Sequence, residues 1–140
     1  MGVIDKLKEI SIDLARRYNI SYILLFGSYA RGDYKGYSDI DIAVKFPSGW
    51  SDEEYIMKAG ELALDLSEEL DVRVDVVPVN IADSILKYEI YSSGQLIYSS
   101  NMDEYYDDMV NAIDEYLDFK EHFEKHYKRI LSDIMREEDG

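Results

Sequence analysis

The fold is decided by Tyr22-Ile23-Leu24-Leu25-Phe26-Gly27-Ser28-Tyr29-Ala30-Arg31-Gly32-Asp33 and, after four more residues, by Ser38-Asp39-Ile40-Asp41-Ile42-Ala43-Val44. Residues 22–26 are a short unbroken apolar run stopped by Gly27, the pattern of a strand buried on both faces, and a helix is expected just beyond it. Residues 39–44 alternate polar with apolar until Pro47 and Gly49 break the run, which predicts a second strand. Side chains two apart on a strand share a face at a backbone separation of about 6.5–7 Å. Asp39 and Asp41 can therefore lean toward one ion or a closely spaced pair.

Working outward, Val3, Leu7, Ile10 and Leu14 recur at helical spacing and predict an opening helix that ends near Asn19. Ser51 with Glu54 reads as a capping box ahead of Ile56, Ala59, Ala63, Leu66 and Leu70, with Asp71 closing that helix. Residues 72–77 are rich in β-branched side chains and predict a third strand ending at Pro78. Asn80 is expected to cap a short helix through about Tyr91, Gly94 to terminate it, and residues 95–98 to add a short edge strand. From Met102 to Met135 the apolar residues follow one helical pattern. Such a helix would be roughly 50 Å long, too long for a compact domain of this size, so it must bend back or reach something else.

These elements predict an α/β (α+β) fold: a mixed sheet of about four strands flanked by helices, with a long C-terminal helical segment. The 140 residues, 46% of them apolar, suit one domain, with residues 1–100 as its core and 101–140 as a helical extension. Thirty acidic against fifteen basic residues give a net charge of −15, which repels phosphate backbones and argues against stable nucleic-acid binding. The absence of Cys removes disulfides, thiolate metal sites and thiol catalysis. The opening MGVIDKLKEI has no signal-peptide core and no apolar run nears membrane-spanning length, so a cytoplasmic protein with no membrane association is expected. Homo-oligomerisation stays open.

Hard oxygen donors without Cys or His nearby suit Mg²⁺, with Mn²⁺ as the alternative, and Mg²⁺ commonly completes its shell with substrate phosphates. Gly27 and Ser28 stand where a strand gives way to a helix, so close backbone approach and helix-start amides can meet anionic oxygen. Arg31 could add a cation, and Ser38 completes the expected nucleotide-binding set of Gly27, Ser28, Arg31 and Ser38. Asp75 is a third acid among hydrophobic neighbours, a costly place unless a metal, a cation or hydrogen bonds compensate it. It reads as catalytic, or alternatively as an ion-pair partner of Arg73 or Lys45. His122 and His126 lie four apart on one helix face, without the HExxH order of a zinc protease.

Gly27-Ser28, then Asp39-x-Asp41, with Asp75 on a later β-rich segment, resembles the active-site signature of the polymerase-β-like nucleotidyltransferases. The wider string GSYARGDYKGYSDIDIAV is similar to the minimal nucleotidyltransferases. Residues 72–99 followed by 115–119 resemble the MNT-type antitoxins of HEPN/MNT toxin–antitoxin modules, so the likeness spans nearly the whole chain. The resemblance implies the polymerase-β-like fold and transfer of a nucleoside monophosphate, AMP from ATP above all, with pyrophosphate release. It implies a tyrosine of a cognate HEPN ribonuclease toxin as acceptor, the toxin being silenced by the modification. Two Mg²⁺ ions held by Asp39, Asp41 and Asp75 would serve that chemistry. Two alternatives remain at this point: an antitoxin that blocks its toxin by binding alone, and a transferase acting on a small-molecule hydroxyl.

Overall fold

A computed structural model describes residues 2–139. The elements run α1 (Val3–Tyr18), β1 (Tyr22–Phe26), α2 (Gly27–Arg31), β2 (Ile40–Val44), α3 (Asp52–Leu70), β3 (Val74–Pro78), a 3₁₀ turn (Val79–Ile81), α4 (Ser84–Ser93), β4 (Gln95–Ser99) and α5 (Met102–Asp139). The four strands lie in the order β3-β2-β1-β4, with β1 antiparallel to both neighbours and β2 parallel to β3. This is the mixed sheet with flanking helices and a long C-terminal helix that the sequence predicts.

Local chemistry sets the element ends. Asn19 and Asp71 close α1 and α3 in the left-handed region, at φ 56° and 53°, a conformation that short polar side chains tolerate. The Ser51 hydroxyl caps α3 by accepting the Glu54 N–H at 3.2 Å, and the Glu54 carboxylate reaches back to that hydroxyl at 3.3 Å in place of the backbone N–H of a full capping box. Gly94 ends α4 with its N–H on the Ile90 carbonyl, and a Cβ at that position would overlap the same oxygen. Glycine is needed there for close approach, since its φ of −75° is ordinary.

One expected cap is corrected. Asp83, not Asn80, caps α4, its carboxylate accepting the Leu86 N–H at 2.8 Å. The Asn80 side chain instead pairs with the backbone of Phe46, accepting from its N–H at 3.0 Å and donating to its carbonyl at 2.9 Å. An amide carries both donor and acceptor and so can extend a strand end that has no backbone partner. A carboxylate cannot.

Strand alternation divides the core into two layers. Ile23, Leu25, Ile40, Ile42, Val44 and Val74 face α1 and α3, where Leu7, Leu14, Leu62 and Leu66 are buried against them. Tyr22, Leu24, Phe26 and Ala43 face the other way, toward Ile90 and Tyr91 of α4 and Tyr105 and Ala112 of α5. A polar strut crosses this second layer: the Tyr22 hydroxyl donates to Asp108 at 2.7 Å and also meets the Tyr91 hydroxyl, while Lys45 donates to Asp108 at 2.9 Å.

The 38 residues of α5, about 57 Å at 1.5 Å per residue, form one helix that does not fold back on the core. Its first half is docked, with Tyr116 stacked on Tyr88 at 3.9 Å between ring centroids. Residues 117–137 are exposed throughout. No described helix is long and apolar enough to cross a membrane.

Candidate active site

The acids meet at one end of the sheet. Asp41 on β2 is the direct partner of Asp75 on β3, and Asp39 lies two residues before Asp41 on the same side as Ala43. That side is the α4 face, opposite the apolar core of α1 and α3, so all three predicted acids share it. Ile40, Ile42 and Val74 take the alternate positions and bury their side chains on the far face.

Gly27 closes the site from β1. Its φ is +73°, and a Cβ on it would overlap the Asp41 carboxylate. Both facts exclude a side chain, so the α2 backbone approaches Asp41 as only glycine allows. Ser28 follows within α2 and is half-buried. Arg31 ends α2, half-exposed and paired with Asp33 at 3.3 Å. Ser38 is engaged in its own turn: its hydroxyl accepts the Lys35 N–H and its N–H donates to the Lys35 carbonyl, each at 2.9 Å. This turn delivers the chain directly into Asp39. Tyr29 stacks on Tyr34 at 4.2 Å and packs against the first core layer, bracing the intervening loop.

The electrostatics of the cluster are those of crowded anions. The Asp41 carboxyl is pushed above the ordinary carboxylate range, first by burial and then by the fields of Asp75, Asp39 and Glu89, with Arg31 acting in the opposite direction. Arg73, whose carbonyl accepts the Ile40 N–H, places its Nε 3.7 Å from Asp39 and 3.6 Å from Asp75. Lys45, the other cation considered for Asp75, pairs with Asp108 instead.

The donor set is three carboxylates with no nitrogen or sulfur ligand among them, the chemistry that Mg²⁺ or Mn²⁺ prefers. Among the described residues no three His, Cys, Asp or Glu side chains stand close enough to hold a metal ion as they are, and that includes the exposed His122 and His126. At the acids, a guanidinium lies against two of the three.

Sequence reasoning missed two participants. Glu89 acts on Asp41 from α4, and nothing in the helical pattern of residues 84–93 distinguishes it from a solvated acid. The sequence offers Arg73 as a partner of Asp75 but gives no sign of its contact with Asp39. The parallel pairing of β2 with β3, which brings it there, is a long-range fact.

Strand order, the Gly27 turn and the shared face of the acids define a nucleotidyltransferase architecture. The family described as "Polymerase beta, Nucleotidyltransferase" matches residues 7–103, and the chain belongs to it. It is a homologue of the protein adenylyltransferase MntA of Shewanella oneidensis, 31% identical over 134 residues that cover 94% of this chain and 90% of that protein. Among solved structures, a chain of a toxin–antitoxin complex with AMP-PNP superposes with a TM-score of 0.66 at 28% identity, covering 91% of this chain and 98% of its own. A chain of the tri-AMPylated Shewanella oneidensis HEPN toxin in complex with MNT antitoxin gives 0.65 at 26% identity, covering 94% and 98%.

Proposed function

We propose that this protein is a cytoplasmic antitoxin that transfers AMP from ATP to a tyrosine hydroxyl of a cognate HEPN toxin, with residues 1–100 as catalytic core and 101–140 as a helical extension toward the partner. The observation that carries the reading is the placement of Asp39, Asp41 and Asp75 on one sheet face against the side-chain-free Gly27 turn. The similarity to MntA and to chains of toxin–antitoxin complexes supports the acceptor.

In this reading Asp39, Asp41 and Asp75 hold Mg²⁺, which when bound neutralises the triphosphate and favours attack at the α-phosphorus. On the same reading, Gly27 and Ser28 present backbone N–H groups and a hydroxyl to phosphate oxygens, Arg31 adds a cation, and Ser38 completes the nucleotide-binding set. Asp75 accepts the proton of the acceptor hydroxyl as the new oxygen–phosphorus bond forms. The bond from the α-phosphorus to the bridging oxygen breaks, and pyrophosphate leaves with its electron pair. Each residue acts by position and charge, and none forms a covalent intermediate.

The test is intact-mass analysis of the toxin encoded beside this chain, after co-expression with wild-type protein or with the Asp39→Asn, Asp41→Asn double variant. Added AMP units with the wild type alone support transfer. An unmodified but inhibited toxin in both cases supports a second reading, in which the exposed apolar residues of α5, among them Phe123, Tyr127, Ile130 and Ile134, inhibit by binding alone.

A further inference from the structure

We infer that Arg73 is a built-in counter-ion that stands between Asp39 and Asp75 in the metal-free protein and must swing away before a divalent cation can enter. This deepens the proposed function, resting on the reading of these acids as metal ligands.

Three observations carry it. The first is placement: Arg73 immediately precedes β3, its carbonyl accepting the Ile40 N–H at 3.0 Å, which sets it beside Asp39 at the entry to the parallel pair and two residues before Asp75. One nitrogen lies 3.7 Å from Asp39 and 3.6 Å from Asp75, so a single positive group serves two ligands. The second is need. Asp41 and Asp75 are direct cross-strand partners, and like charges so placed repel. A nearby cation offsets that repulsion when no metal does.

The third is looseness. Both Arg73 contacts exceed hydrogen-bond length, and its side chain is 74% exposed. Lys45–Asp108 offers the contrast within the same molecule: 2.9 Å, both side chains about three-quarters covered, part of the strut that ties α5 to the sheet. The latter pair is built to stay. Arg73 immediately precedes the edge strand β3, with no further strand beyond it, so its exposed guanidinium can leave without unpacking the sheet.

The test is Mn²⁺ titration of the full chain without nucleotide, read by the loss of the free-ion electron paramagnetic resonance signal, for wild type, Arg73→Gln, Arg73→Lys and Asp41→Asn. Arg73→Gln is expected to bind Mn²⁺ about three- to tenfold more tightly, the scale of two exposed ion pairs removed. Arg73→Lys should stay near wild type, and the gap should narrow as salt screens the competing charge. Equal or weaker binding by Arg73→Gln, with binding still dependent on Asp41, overturns this inference and leaves the metal reading intact. Binding that Asp41→Asn does not alter overturns both.

Discussion

The two faces of the sheet are made from alternate residues of the same strands, yet they differ in kind. Toward α1 and α3, Ile40, Ile42 and Val44 are fully buried, and the buried Ser11 hydroxyl of α1 is satisfied within its own helix by the Leu7 carbonyl, so the layer is otherwise apolar. Toward α4 and α5 the face is divided: Ala43 and Leu24 are covered, while Asp41, Asp39 and Asp75 stand at the uncovered end. The difference teaches that one strand can serve stability and chemistry at once, provided that neighbouring residues answer to different readouts.

Asp41→Asn and Ile42→Ala should separate those readouts most sharply. On the proposed reading, losing the Asp41 carboxylate is expected to lower AMP transfer by on the order of 10³-fold or more, with cooperative unfolding retained. Ile42→Ala should cost about 2–5 kcal/mol in urea denaturation, while the folded fraction keeps its transfer rate. Loss of activity per folded molecule in Ile42→Ala would break the comparison.

Gly27→Ala comes next, because it touches both functions. It forces a side chain at φ +73° and into the Asp41 carboxylate. A stability loss of about 1–3 kcal/mol should accompany weakened ATP binding, measured by denaturation and calorimetry on the same sample.

Tyr22→Phe probes the covered part of the second face and should cost about 1–2 kcal/mol by leaving Asp108 and Tyr91 short of a partner. The strut also predicts alkaline sensitivity. Burial pushes the Tyr91 phenol up to about 12 and raises that of Tyr22 as well. Unfolded tyrosines ionise near pH 10, so the folded state holds more protons above that pH. Stability should be whole below pH 10 and fall as pH rises toward 12. Tyr22→Phe should show a shallower loss in thermal melts across that window.

The smallest effect on stability belongs to truncation after residue 116, since residues 117–137 are exposed. Removing them should change unfolding free energy by no more than about 0.5 kcal/mol. On the proposed reading, toxin binding should weaken markedly.

Much of this was legible beforehand because it is local. The apolar run 22–26, the Ser51–Glu54 cap and the alternation across 39–44 each carry their own structural instruction. The Gly27 and Asp39-x-Asp41 spacing marked the end of the sheet on which the proposed function rests, and Asp75 lies beside it. What escaped depends on distant pairings. Asn80 could have capped a helix by residue type alone, and only the nearness of Phe46 gives it another role. Asp108, Tyr22 and Tyr91 come from three separate elements and Lys45 from just past the end of β2, so no window of sequence contains their network. Along α5 the apolar period is the same in both halves, and period says nothing about what covers a face.

The most direct test uses purified protein, Mg²⁺, the cognate toxin and ATP labelled at either the α or the γ phosphorus. The account predicts that the α label alone passes to the toxin and that Asp41→Asn abolishes the transfer. Label from the γ position on the toxin, or no label with the two proteins bound to each other, would contradict it.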